Sequence, residues 1–494
     1  MNKINNTKER IDKELVFLII LSIFLRFIWL YAAIERDEGI FGYSAFKLSI
    51  NELKIVDNKI PIVYIIYLLI MIIHKLLSFN FPVIISVRIV NNLLFLIAVV
   101  CLYRFFSEEK REIAFFSTIF FIIFMNLPVF EGQLAMTESL GMNFFVLGLI
   151  YMLRYAKHYE PAYFRISFFF FLLAALLKYP FLFLSVHTII FFIKNRTGFK
   201  KVALFLITYF ITAILMLGFY FIAFPENVLF FIIESINVLN EVPEIYSFSS
   251  LKLVLIEGFF FIILVVLGVL EYYKVEKKEK IFYLFKNMLL ISLVLSLIPP
   301  SFGHYFLINS IAVAFFAGVG ILSLKRFSIK LVKYIIIVIL FLAIIISVYF
   351  SMLQYPNLNI NFKGINVVYN DFLDLKQQLE VSKFLENHIK QNESFAMCGF
   401  DGTLGWLSER RIFSGVRKFC YIPNGKENEN KVLKILKDRY LSRIIIYDVA
   451  KILSCELPDN IKYLVLFTNA YDETLFKCTG KIEMKYDNLL ICKC

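Results

Sequence analysis

The sequence predicts an α-helical polytopic membrane protein with a C-terminal soluble α/β domain. Hydrophobic residues make up 60% of the 494, and mean hydropathy is +0.74, far above a soluble domain. Apolar runs long enough to cross a bilayer recur as far as residue 351, and they are continuous rather than alternating, which excludes a transmembrane barrel. From Pro356 to Cys494 the polarity becomes ordinary and no span follows.

In chain order the candidate spans are 15–33, 83–103, 113–128, 132–153, 164–178, 180–193, 201–223, 251–271, 283–299, 304–323 and 331–351. The first is too long for a signal-peptide core and has no small-residue cleavage site, so it is expected to be retained. A net charge of +13 would suggest nucleic acid in a soluble protein. Here Lys and Arg crowd into alternate short loops, such as Lys194/Arg196/Lys200/Lys201 and Lys274/Lys277/Lys278/Lys280/Lys286. That asymmetry orients the chain with its N-terminus cytoplasmic. Residues 61–77 are apolar but short, and a crossing there would put every later basic loop on the wrong side. They are expected as an interfacial or re-entrant helix on the outer face.

The tail alternates helix-like and strand-like stretches: DFLDLKQQLEVSKFLENHI before SFAMCGF, ENKVLKILKDRYL before RIIIYDV, and a final NLLICKC. The expected division is a membrane domain over 1–354, with an outer loop at 35–82, and an extracytoplasmic α/β domain over 355–494. Cys101 stands alone in the membrane part, whereas Cys398, Cys420, Cys455, Cys478, Cys492 and Cys494 crowd the tail. Bridged pairs in an oxidising space and free small hydrophobes both fit that distribution.

This topology puts several polar residues at one membrane level. Asp37 and Glu38 follow the first span; as neighbours on a helix they point about 100° apart and cannot both address one atom. They read either as boundary charges and an N-cap or as one acting carboxylate with a supporting neighbour. Glu138 opens a span, Lys178 lies in LLAALLKYPFLF, Arg88 lies in IISVRIVNNLLF, and His304 follows PPSFG. Ionisable groups in such surroundings are expensive, which favours function, although Arg88 or Lys178 alone could snorkel to the interface. A carboxylate among cations at lipid depth suits a phosphate-bearing lipid and a nucleophile that must lose a proton. No GxxxxGK[ST] and no GxGxxG after a strand is present, so a nucleotide donor is not indicated.

The stretch RDEGIFGYSAFKL…IVDNKIPIVYIIYLL resembles the first outer loop of integral-membrane glycosyltransferases of the GT-C fold. It is similar to the branch holding the dolichyl-phosphate-mannose–protein mannosyltransferases and the lipid A aminoarabinose transferase (glycosyltransferase families 39 and 83). Those families show an acidic pair after the first span and a D-x-K-x-P-type stretch, here Asp57-Asn58-Lys59-Ile60-Pro61 with Tyr64 and Tyr67 following. Arg88, Thr137-Glu138, the lysine of LLKYP and His304-Tyr305 continue the match in order. The resemblance implies about 11–13 membrane helices (estimated from span length) and an inverting transfer of a sugar from a polyprenyl or dolichyl phosphate. The acceptor would be a protein, glycan or lipid on the outer face. By that likeness Asp37 is the base on the acceptor hydroxyl with Glu38 beside it, and Glu138 positions a substrate. Lys178, His304, Tyr305 and Arg88 would bind the lipid phosphate, and Arg36, Asp57, Lys59 and Tyr64 would form the donor and acceptor loop. No cofactor and no nucleic-acid partner is implied, and a divalent metal is left open.

The chain departs from the pattern in places. Lys59-Ile60-Pro61 stands where Lys-Pro-Pro is common, no WWDYG-like sequence occurs, and loop 224–250 is too short for the β-trefoil of the eukaryotic protein mannosyltransferases. A lipid-sugar transporter and a non-catalytic scaffold for glycan assembly are the competing classes. Inverted repeats would favour the transporter, and none is visible.

Overall fold

The computed structural model describes residues 2–31, 34, 36–50, 62–127, 130, 132, 134–194, 207, 210–211, 214, 255, 258–271, 280–297, 303–324, 338, 342, 375–391, 393–398, 403–412, 461–467, 481–486 and 489–493. Apart from 207, 210–211, 214, 338 and 342, the expected spans 201–223 and 331–351 lie outside them, as do the loop residues Asp57 and Lys59 and the helix and strand expected over 429–449.

Helix α1 (Asn2–Phe27) runs into a 3₁₀ turn, Ile28–Tyr31. The helices α2 (Arg36–Ser49), α3 (Ile62–Leu76), α4 (Val83–Glu109), α5 (Arg111–Met125), α6 (Thr137–His158), α7 (Pro161–Leu177) and α8 (Pro180–Lys194) follow. Then come α9 (Gly258–Glu271), α10 (Lys280–Leu297), a 3₁₀ turn over Gly303–Asn309, and α11 (Ser310–Leu324). Among the described residues four segments are long and apolar enough to cross a membrane: Lys13–Tyr31, Val83–Ser107, Thr137–His158 and Tyr305–Leu324. The protein is a multi-pass membrane protein.

Chain punctuation explains the helix ends. Tyr159 closes α6 in the left-handed region (φ 61°), its N–H donating to the Tyr155 carbonyl at 2.8 Å, and Pro161 opens α7, where its missing N–H costs nothing. Lys178 ends α7 in extended conformation (φ −153°, ψ 129°) two residues before Pro180, which opens α8. The helix expected from residue 132 starts at Thr137. Carbonyls ahead of it are held by side chains from elsewhere: Arg26 donates to Gly132 and Asn91 to Leu134, at 2.7 and 2.9 Å. Helix α3 spans the segment expected as interfacial. Val63, Tyr64, Tyr67, Ile70 and Met71 are buried on one side, while Ile65, Leu69, Ile72, Ile73 and Leu76 are exposed on the other.

Two compact units divide the chain. The first comprises Met1–Leu30, Lys54–Ile66 and Ile85–Met352. Its core is rich in phenylalanine, with Phe285 stacked on Phe315 at 4.3 Å and Phe124 on Phe130 at 4.3 Å between ring centroids. Gly268 and Gly320 let α9 and α11 approach backbone to backbone: a Cβ on either would overlap a carbonyl of the other helix.

The second unit comprises Tyr31–Leu53, Tyr67–Ile84 and Leu353–Cys494. Stretches of the expected outer loop therefore cluster with the tail rather than with the spans, across the composition break at residue 355. The tail supplies α12 (Leu375–His388), β1 (Ser394–Cys398), α13 (Thr403–Ser408), β2 (Arg411–Ile412), β3 (Ile461–Phe467), β4 (Lys481–Tyr486) and β5 (Leu489–Lys493). The sheet order is β2-β1-β3-β5-β4, with β1 parallel to β2 and β3, and β5 antiparallel to β3 and β4. Strands β1 and β5 are those expected from SFAMCGF and NLLICKC; β2, β3 and β4 were not anticipated.

Helix α2 is gripped by the tail. Gln378 of α12 accepts from the Ile34 N–H at 2.9 Å and donates to the Ile34 carbonyl at 3.2 Å. The Tyr43 hydroxyl accepts from the Ile412 N–H at 2.7 Å. Gly42 lies flat against the Trp406 ring, where a Cβ would overlap the indole.

Candidate active site

In the first unit the structure brings together Glu138, Lys178 and Tyr305. Glu138 lies in the first turn of α6, where the helix dipole favours a carboxylate, and is 1% exposed. Its Oε2 accepts from the Thr137 hydroxyl at 2.7 Å, and its Oε1 lies 2.5 Å from Lys178 Nζ. Lys178, 19% exposed in its side chain, reaches it from the α7–α8 corner and stands 4.4 Å from the centroid of the Tyr305 ring. These residues line a small cleft with Tyr179, Pro180, Leu295 and Ile308, with room for about one water.

Buried amides and hydroxyls fix this cleft. Asn309 bridges the 3₁₀ turn to α10, accepting from Ser292 at 2.6 Å and donating to Ser296 at 2.7 Å, while Ser296 donates to the Tyr305 carbonyl at 3.3 Å. Asn143 donates to Asn91 at 3.0 Å, tying α6 to α4. His304 lies in the same 3₁₀ turn as Tyr305, with its side chain outside those described.

Arg88 is fully buried, and its Nη1 donates to the carbonyls of Trp29 at 3.0 Å and Leu30 at 3.4 Å. These contacts fasten α4 to the turn that ends α1. Arg26 escaped the sequence reading, although a charge inside an apolar run marks it by the rule that marked Arg88. It is 2% exposed and donates to Asn92 Oδ1 at 3.0 Å and to the Gly132 carbonyl at 2.7 Å, with its guanidinium 3.6 Å over Phe95. Among the described residues no carboxylate pairs with it. A central membrane arginine costs about 2.5–3.5 kcal/mol. Two charge-assisted hydrogen bonds at about 1.5–3 kcal/mol each, with the cation–π contact, offset that cost.

In the second unit Asp37 and Glu38 occupy the first turn of α2, Asp37 half-buried and Glu38 fully buried. The helix-start reading and the catalytic reading are both compatible with that position. Arg36 opens the same helix, its side chain outside those described. Tyr64 is buried in α3. Among the described residues no cluster of three or more His, Cys, Asp or Glu could hold a metal. Cys101 is a free thiol, and the tail cysteine side chains lie outside those described.

Two crystal structures of ArnT from Cupriavidus metallidurans share this architecture. The one bound to undecaprenyl phosphate superposes with a TM-score of 0.63 at 10% identity, covering 96% of this chain and 97% of that one. The apo form gives 0.59 at 12% identity over the same shares. The chain has the GT-C fold. ArnT belongs to the branch that the first outer loop resembles. No protein-family profile and no curated protein matches the sequence.

Proposed function

We propose that the protein transfers a sugar from a polyprenyl-phosphate donor to an acceptor on the outer face of the membrane, with inversion at the anomeric carbon. One observation carries the reading. A chain with the fold of an undecaprenyl-phosphate-bound ArnT sets a lysine and a tyrosine beside a buried carboxylate in a cleft. Lys178 is the phosphate ligand, and the bond that breaks joins the sugar's anomeric carbon to the phosphate oxygen. The polyprenyl phosphate leaves with the electron pair, and the ammonium offsets its charge. Asp37 takes the acceptor hydroxyl's proton as that oxygen attacks the anomeric carbon. The phosphate departs as a stable anion, so no general acid is needed. Glu138 holds Lys178 in place, and His304 and Tyr305 complete the phosphate side. Arg88, engaged with backbone carbonyls, acts on the framework.

The test is mass spectrometry of surface glycans and lipid-linked sugars in cells with the gene, without it, and with Asp37→Asn. Loss of one glycan sugar with accumulation of its lipid-linked form is the expected result in the last two. Unchanged glycans in cells without the gene, with lipid-linked sugar retained on the inner leaflet, would point to a flippase instead.

A further inference from the structure

We infer that the C-terminal tail is part of the catalytic apparatus, with Gln378 and Tyr43 as positioning residues that set where Asp37 stands; this rests on the general-base reading above. The grip falls on both sides of the carboxylate. Three residues before Asp37, the Gln378 amide closes a two-way bond with the Ile34 backbone, and that amide is 1% exposed. Six residues after it, the buried Tyr43 hydroxyl accepts the Ile412 N–H at the start of the sheet. Between them Gly42 lies against Trp406, itself 1% exposed. The stretch from Asp37 to Tyr43 is helical, about 9 Å of rigid rod at 1.5 Å per residue. A displacement at the Tyr43 grip therefore reaches Asp37 undamped, and the Gln378 grip holds the chain two residues before the helix begins.

Neither grip needs to exist for α2 to form. A helix start can be solvated by water, and a tyrosine ring packs without its hydroxyl bonding a distant strand. The bonds join residues 344 and 369 apart in sequence, and they fix the helix in translation, which local capping does not. Misplacement of a base by about 1 Å can cost on the order of a hundredfold in rate.

The test uses the full chain in lipid nanodiscs with Tyr43→Phe, Gln378→Met and Asp37→Asn. The donor is the undecaprenyl-phosphate-linked sugar extracted from cells lacking the gene, and the acceptor is the envelope fraction of those cells. Bound undecaprenyl phosphate counts the working sites. Hydrogen exchange over residues 34–44 is expected to quicken in Tyr43→Phe and in Gln378→Met. The rate per site is expected to fall about tenfold with donor KM within about twofold. Unchanged exchange, full rate per site, or fewer sites each working at the full rate would overturn the inference, the last by showing a purely structural grip. Asp37→Asn at the wild-type rate overturns the general-base reading and this inference with it. An inactive Asp37→Asn beside full-rate Tyr43→Phe and Gln378→Met overturns the positioning alone.

Discussion

Among the described residues of the first unit, Arg26, Arg88 and Lys178 are cations in apolar surroundings, and they fall into two kinds. Arg26 and Arg88 are 2% and 0% exposed and spend guanidinium donors on backbone carbonyls. Lys178 keeps a fifth of its side chain exposed, lines a cleft and faces a carboxylate. The guanidinium's fixed fork suits several carbonyls at once, whereas the ammonium is a compact charge that can change partners. On the proposed function, burial of a charge alone does not separate framework from site; the partner and the remaining access do.

That contrast can be broken by substitution, beginning with the largest effect. Lys178→Met should lower the rate of sugar transfer by about a hundredfold or more through lost stabilisation of the leaving phosphate, measured on lipid-linked donor in nanodiscs. It also removes the ammonium from the buried Glu138. Adding Glu138→Gln should therefore recover about 1–3 kcal/mol of unfolding free energy while activity stays low. Full additivity of the two changes would mean the ion pair contributes nothing. Next, Arg26→Met leaves Asn92 and the Gly132 carbonyl without a donor and should cost about 2–4 kcal/mol of stability. Those molecules that do fold should transfer sugar at near wild-type rate. Arg88→Lys should cost least, about 1 kcal/mol, because an ammonium can still reach one of the two carbonyls. An activity loss in Arg88→Lys greater than that in Lys178→Met would reverse the assignment.

Much of this was legible in the sequence, for identifiable reasons. Lys178 at the α7–α8 corner followed from Lys-Tyr-Pro between apolar runs, and Glu138 at a helix start from Thr-Glu beside apolar sequence. The start of α6 was placed five residues early because Gly132 and Leu134 are apolar enough to read as span. Their carbonyls are bonded to Arg26 and Asn91, which local composition cannot show. Arg26 was lost inside a strongly apolar window. The bonds from Gln378 to Ile34 and from Ile412 to Tyr43 were beyond reach, since no local periodicity encodes pairing across more than three hundred residues. The tail's βα alternation was legible for β1, but the antiparallel β4–β5 pair gives the sheet a mixed character that helix–strand alternation does not predict.

The grip on α2 also sets a timetable for biosynthesis. The helix with the proposed base is made early, yet Ile412, which bonds Tyr43, is made 369 residues later. At ribosomal speeds of about 5–20 residues per second that is a wait of roughly 20–75 s. The strand β5, paired with β3 in the same sheet, is made later still. A nascent chain already threaded into the membrane would thus carry its acidic pair in an unfastened helix. On the general-base proposal, copies terminated before Ile412 lack the bond to Tyr43 and are expected to be inert toward the lipid-linked sugar around them.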